Sequence, residues 1–172
     1  MPKPRIFRQI ATLLLLTGVL HSTELLAACT AANPSAKVFE ATPNSDFTDN
    51  VDGTVSHGKT GLIWKRCAEG QSWSGVTCTG VASTPNWVGA LFTSLSAGAG
   101  WRLPNKKELE SIVETCGYTP SINQTQFPAT PMAQDFWSST TYPSTPANAW
   151  TVNFDQAHPP YSPDHSRHKH TD

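Results

Sequence analysis

Tryptophan is the residue type in this sequence best suited to ligand binding. Its flat indole ring can stack on the apolar face of a sugar, and its N–H group supplies a hydrogen-bond donor. Because Trp64, Trp101 and Trp150 alternate with polar neighbours, we expect these three to pack in the core. Trp73 lies in a glycine-rich loop and is the best candidate for an exposed sugar platform, and Trp137 is the second candidate.

An acidic cluster near residue 50 carries the oxygen ligands that calcium prefers. Its members are Asp46, Asp49, Asn50 and Asp52. Their spacing is not that of an EF-hand loop. Asp and Asn side chains before a glycine, here Gly53, are also typical of turns, in which they bond to the nearby backbone. We favour the turn interpretation over a calcium site.

Histidines near the C-terminus could bind zinc or copper. They are His158, His165, His168 and His170. A flexible tail would give them neither a fixed geometry nor supporting hydrogen bonds. The sequence therefore predicts no metal site and no cofactor.

No catalytic motif is found in the sequence, which lacks Gly-x-Ser-x-Gly and HExxH and offers no convincing nucleophile–base pair. Arg102 with Glu108 or Glu110 could resemble a reactive cluster, but an ion pair at a turn is the simpler role. We therefore expect a protein that is not an enzyme.

The most informative local pattern predicts a strand, a tight turn and a helix. It consists of Trp101, Arg102, Leu103, Pro104, Asn105 and Glu108. Alternation of apolar and polar residues predicts a strand over 101–103, which the proline ends. The asparagine is a good helix N-cap, and the glutamate three residues later could close a capping box. An amphipathic helix should follow to about Thr115.

Other segments predict further short elements. We expect a strand over 62–66 and an antiparallel pair formed by 136–140 and 150–154. A further helix should open at Thr84–Pro85. That helix should carry Trp87, Leu91 and Leu95 on one face.

The four cysteines allow three disulfide connectivities. We favour Cys67–Cys78, which closes a short loop and would contribute about 3 kcal/mol by the chain-entropy model. Cys29–Cys116 would then tie the N-terminal arm to the end of the second helix. Cys29 also ends a lipobox-like Leu-Ala-Ala-Cys sequence, so acylation of this residue is an alternative to the second disulfide.

The N-terminus has the pattern of a bacterial export signal. Lys3, Arg5 and Arg8 precede an apolar run over 10–20, which is too short to span a bilayer. Removal of residues 1–28 would leave a net negative chain, which argues against nucleic-acid binding. The same balance argues against binding sulfated polysaccharide through bulk charge. We expect no transmembrane span.

A series of motifs in family order gives the chain a resemblance to the Lcl C-terminal domain family. Besides the motif at 101–105 with 107–109, the resembling stretches are 47–55, 59–67, 122–123 with 127–128, 136–140 and 149–154. The resemblance covers about Phe47 to Asp155. It implies an α+β, C-type-lectin-like single domain, with two helices on small twisted antiparallel sheets and long loops.

The resemblance also sets the expected domain organisation. A signal peptide (1–28) and an N-terminal arm (29–46) would precede the domain (47–155), and a divergent, disordered tail (156–172) would follow it. The tail contains Pro159, Pro160 and Pro163 and does not resemble the family's last strand. We therefore expect that strand to be missing, whether the tail is native or the product of a frameshift.

Family resemblance implies an exported bacterial recognition module that binds a glycan or a cell-surface partner, as an adhesin does. It would lie in the periplasm or outside the cell, or be attached to the outer membrane as a lipoprotein. A structural protein of the cell envelope is one alternative, and a truncated domain without activity is another.

Overall fold

The computed structural model describes residues 40–115 and 120–155 and the backbone of 166–170. These residues form an α+β domain with two helices and three small antiparallel sheets. The strands are β1 (Phe47–Asp49), β2 (Thr54–His57), β3 (Leu62–Lys65), β4 (Ser72–Trp73), β5 (Cys78–Thr79), β6 (Asp135–Tyr142), β7 (Thr145–Asn153) and β8 (Ser166–His170). The helices are α1 (Trp87–Ser96) and α2 (Lys106–Glu110), and a 3-10 turn (Asn44–Asp46) precedes β1.

Each sheet joins strands that are neighbours in sequence. The strand orders are β1-β2-β3, β4-β5 and β6-β7-β8. Tight turns connect the strands of the first sheet, and Gly53 and Gly61 take positive φ angles in them. The predicted strand over 62–66 and the predicted antiparallel pair are confirmed, since Phe136 pairs with Val152.

One hydrophobic core connects the first sheet, the region of α2 and the third sheet. Its buried members are Val55, Leu109, Ile112, Val113, Ile122, Phe127, Val152 and Phe154, and Phe47, Trp64 and Phe136 pack against them. The core is therefore built from residues that are distant in sequence. Their packing fixes the first and third sheets relative to α2.

The expectation of a missing last strand is wrong. Strand β8 pairs antiparallel with β7, with Trp150 opposite His168 and Val152 opposite Ser166. Sheet pairing uses backbone N–H and C=O groups, so the polar sequence Ser-Arg-His-Lys-His can occupy a sheet edge without an apolar pattern. The expected disordered tail therefore contains a strand, and the far edge of β7 is paired.

Two details of the strand–turn–helix prediction are corrected. Residues 101–103 belong to no sheet, and the segment contacts β6 through a hydrogen bond from Ser139 N to Pro104 O (2.8 Å). Helix α2 ends at Glu110 rather than near Thr115. The chain leaves the helix early because Val113 forms a bridge with Ile122, which a continuing helix would prevent.

Helix α1 begins later than predicted. Asn86 caps it by accepting a hydrogen bond from Gly89 N (2.9 Å), so Thr84–Pro85 lies before the helix. The face that carries Trp87, Leu91 and Leu95 is only partly turned to the core, because Trp87 and Leu91 are half-buried and Leu95 is 65% exposed, whereas Ala90 is buried. Apolar spacing alone does not determine which side of a helix is turned to the core.

The predicted disulfide between Cys67 and Cys78 is confirmed, with their Cα atoms 5.4 Å apart. It joins the chain after β3 to the start of β5. Cys29 and Cys116 lie outside the described residues, as do the predicted signal peptide and most of the N-terminal arm. No helix in the described segments is long and apolar enough to cross a membrane.

A buried histidine makes stability depend on pH. His57 is 2% exposed, and its ring stacks on Phe47 with centroids 4.6 Å apart. Burial lowers the pKa of His57 below its ordinary value of 6.5, aided by Lys59 and opposed by Asp46. The imidazole is therefore neutral in the folded chain at pH values where the unfolded chain binds a proton.

We expect the free energy of unfolding to fall as the pH is lowered from about 7.5 to about 5.5, because the unfolded state then binds more protons. The variant His57→Gln, which cannot titrate, should show a flatter profile over the same range. Urea unfolding at a series of pH values measures both. An equal slope in the two proteins would contradict the role of His57.

Candidate ligand cleft

Two adjoining clefts open beside β3. The outer cleft, about 610 Å³, lies between β3, α1 and the segment that contains Trp101 and Arg102. The inner cleft, about 480 Å³, reaches from β3 toward Trp137 and the core residue Phe154. The residues that line both are Trp64, Lys65, Glu69, Pro85, Ala90, Leu103 and Pro104. Trp64 is therefore part of the wall of both clefts.

The indole N–H of Trp64 is the polar group of interest in the wall of these clefts. Its ring packs against the core, but its Nε1 atom is buried and has no hydrogen-bond partner in the described part of the chain. A buried donor without a partner costs about 1–3 kcal/mol. An acceptor oxygen on a ligand could satisfy it. The sequence placed Trp64 in the core, and no sequence signal shows which way its N–H points.

Trp101 lines the outer cleft and is half-buried. The ammonium of Lys65 lies 5.8 Å from the centroid of its ring. Together Trp101 and Trp64 give the outer cleft two indole surfaces, of which that of Trp64 also packs against the core. This differs from the core position that the sequence predicted for Trp101.

The predicted capping box is present at the start of α2, and its Glu108 lines the outer cleft. Asn105 Oδ1 accepts from Glu108 N (2.9 Å), and Glu108 Oε2 accepts from Asn105 N (2.8 Å). Glu108 also accepts two hydrogen bonds from the Arg102 guanidinium, at 2.6 and 2.7 Å. The hydrogen bond from Arg102 is the main cause that lowers the pKa of Glu108. The sequence left Glu108 and Glu110 open as partners, and the structure shows Glu108.

Charges at the outer cleft are matched in pairs. Lys65 pairs with Glu69 at 3.1 Å, and Arg102 pairs with Glu108 at 2.6 Å. Each cation near the opening thus has a carboxylate beside it. The cleft presents aromatic and apolar surface with no excess of either sign from these four side chains.

The predicted ligand residue Trp137 lines the inner cleft, but its N–H donates to Pro85 O at 3.0 Å. Trp87 makes a similar bond to Ser138 O at 2.9 Å. These two bonds hold the start of α1 against β6. Trp137 therefore has its ring, but not its N–H, available to a ligand, and its role in binding stays a prediction.

The other predicted ligand residue, Trp73, lies outside the walls of both clefts. The Arg66 guanidinium lies 4.3 Å from the centroid of its ring, and a Cβ atom on Gly53 would approach Trp73 Cβ to 3.1 Å. Trp73 is consequently half-buried by its own domain. Its role as a sugar platform remains a prediction.

Two carboxylates of the acidic cluster accept hydrogen bonds from the backbone within turns. Asp49 Oδ1 accepts from Val51 N (2.8 Å), and Asp52 Oδ1 accepts from Thr54 N (2.9 Å). Bonds to the Val51 backbone and the Thr54 side chain lower the pKa of Asp49 and Asp52, respectively. These are the turn contacts that the sequence favoured over a calcium site.

The four histidines of the tail are only partly within the described structure. His168 and His170 lie on β8, opposite Trp150 and Asn148 in the backbone register. His158 and His165 lie outside the described residues.

The fold and the cleft define a small α+β domain with a tryptophan-lined groove on one side. A family model for the Lcl C-terminal domain matches residues 53–171. The chain therefore belongs to the Lcl C-terminal domain family. No curated protein and no solved structure matches it.

Proposed function

We propose that this chain is an exported, non-catalytic recognition module that binds an uncharged glycan in the outer cleft. The observation that carries the proposal is the indole N–H of Trp64, which is buried without a hydrogen-bond partner in the described residues, in a cleft that half-buried Trp101 also lines. Ring stacking and a directed N–H donor are two interactions that tryptophan side chains in a pocket can offer a sugar. Membership of the Lcl C-terminal domain family supports a recognition role of the adhesin type.

The paired charges favour a neutral ligand over a sulfated one. A sulfate group near Arg102 would compete with Glu108, which already accepts both guanidinium bonds at 2.6 and 2.7 Å. Charged ligands gain most where cations lack partners. Binding should therefore depend little on salt concentration, whereas binding of a sulfated chain would weaken steeply as salt is added.

The proposed domain type is C-type-lectin-like, and the proposed location is the periplasm or the cell exterior. Two helices and small antiparallel sheets support the first. The disulfide between Cys67 and Cys78 supports the second, because such bonds persist in oxidising compartments.

A glycan array with matched variants tests the proposal. Trp101→Ala removes the stacking surface of Trp101 in the outer cleft and should reduce binding at least about tenfold, the equivalent of about 1.4 kcal/mol. Trp73→Ala serves as the comparison, because Trp73 lies outside both clefts. Loss of binding in Trp73→Ala alone would move the site to the β4–β5 hairpin. A wild-type chain that binds no glycan would overturn the proposal.

A further inference from the structure

Helix α1 exposes an apolar stripe. Val88, Phe92 and Leu95 are 46%, 68% and 65% exposed. Their spacing of four and three residues places them on one face of the helix. Contiguous exposed apolar surface of this kind marks interaction sites in soluble domains. We call these three residues the α1 stripe.

The stripe lies opposite the cleft. Residues of α1 that line the outer cleft are Ala90, Thr93, Ser94 and Ala97. At 100° per residue these positions are centred about half a turn from the stripe. A partner on the stripe would therefore leave the outer cleft open to its ligand.

The chain around the stripe has no charge. Between Glu69 and Arg102, the sequence contains no Asp, Glu, Lys or Arg over residues 70–101. In a twofold interface the same patch meets itself, so any charge near the axis faces a like charge. An uncharged helix avoids that repulsion. Absence of Lys and Arg also makes the stripe a poor fit for an anionic membrane surface.

We infer that the α1 stripe is a homotypic contact, through which two copies of this chain associate by packing α1 against α1. A helix of ten residues is about 15 Å long, so the contact is small compared with a standard interface. The association is accordingly weak and reversible. A dimer would carry two outer clefts on its outward faces, which would raise the avidity for a multivalent ligand.

Sedimentation velocity of the mature chain from about 1 µM to about 1 mM tests this inference. The wild type should show a weight-average mass that rises toward the dimer, and Phe92→Lys should stay monomeric throughout the series. Val76→Lys is the control, because Val76 is 83% exposed but lies outside α1. That variant should associate like the wild type.

Four results would overturn the inference. The first is a wild type that stays monomeric up to the highest concentration, and the second is association of Phe92→Lys equal to that of the wild type. The third is a lower urea midpoint for Phe92→Lys with no change in mass, which would show that another segment of the same chain covers Phe92. The fourth is that the wild-type chain sediments with neutral lipid vesicles and Phe92→Lys does not, which would assign the stripe to a membrane instead. The test does not require a glycan, so it stands apart from the proposed function.

Discussion

Replacement of Arg66 by methionine is expected to lower the free energy of unfolding by about 3 kcal/mol. Arg66 is 8% exposed and donates from Nε to Gln126 O (3.0 Å) and from Nη2 to Thr125 O (2.7 Å). Nη1 pairs with Asp49 at 2.6 Å. The guanidinium thus joins the end of β3 to β1 and to the loop before β6.

Methionine retains the apolar stem but leaves two carbonyl groups without their donor. Asp49→Asn is the companion variant. It should lose less stability, because the Asp49 side chain is 53% exposed and solvent replaces its partner. Urea unfolding of the oxidised chain measures both. Equal losses in the two variants would show that the contacts to Gln126 and Thr125 contribute little.

The second large effect is expected at Glu114, a buried carboxylate that holds the N-terminal arm. It accepts from Ala41 N, from Thr42 N and from Thr42 Oγ1, each at 2.9 Å. The side chain of Asn123 also holds the arm, because it donates to Thr42 O at 2.8 Å. Residues more than 70 positions apart are joined here by one side chain.

Glu114→Ala removes the acceptor of three hydrogen bonds and is expected to destabilise the domain by about 3 kcal/mol. Thr42→Val removes only the hydroxyl and should cost about 1 kcal/mol. Amide hydrogen exchange at Ala41 and Thr42 gives a local readout, which should accelerate in Glu114→Ala more than exchange in the core. Unchanged protection of those two amides would contradict the role of Glu114 as the anchor of the arm.

The contacts of Glu114 with the arm lie near one cysteine of the predicted second disulfide in sequence. Cys116 follows Glu114 by two residues, so the part of the arm at Ala41 and Thr42 lies close to the chain segment that leads to Cys116. Cys29 and Cys116 themselves lie outside the described residues, so their pairing stays a prediction.

Sequence patterns correctly predicted the features that depend on residues close together in the chain. The capping box of Asn105 and Glu108, the disulfide of Cys67 and Cys78 and the hairpin turn at Gly53 each depend on residues close in the chain. Spacing and residue type therefore sufficed to find them.

Features that depend on tertiary contacts were missed. Strand β8 forms because the edge of β7 offers backbone partners, and its polar sequence carries no apolar alternation. The position of Trp64 at the junction of two clefts follows from the placement of β3, α1 and residues 99–104 around the outer cleft. The spacing of apolar residues in Leu62–Lys65 predicts a strand but cannot indicate where an indole N–H is directed.

The most direct test of the proposed cleft follows the indole N–H of Trp64 by NMR. The six tryptophans give one indole N–H resonance each, and Trp64→Phe identifies the resonance of Trp64 by its loss. On saturation with a neutral oligosaccharide selected from the array, we expect this resonance to shift and its exchange with water to slow. Trp64→Phe keeps a smaller aromatic ring but loses the donor, so its affinity should fall about tenfold. Binding that leaves the Trp64 resonance and the affinity of Trp64→Phe unchanged would contradict the cleft as the binding site.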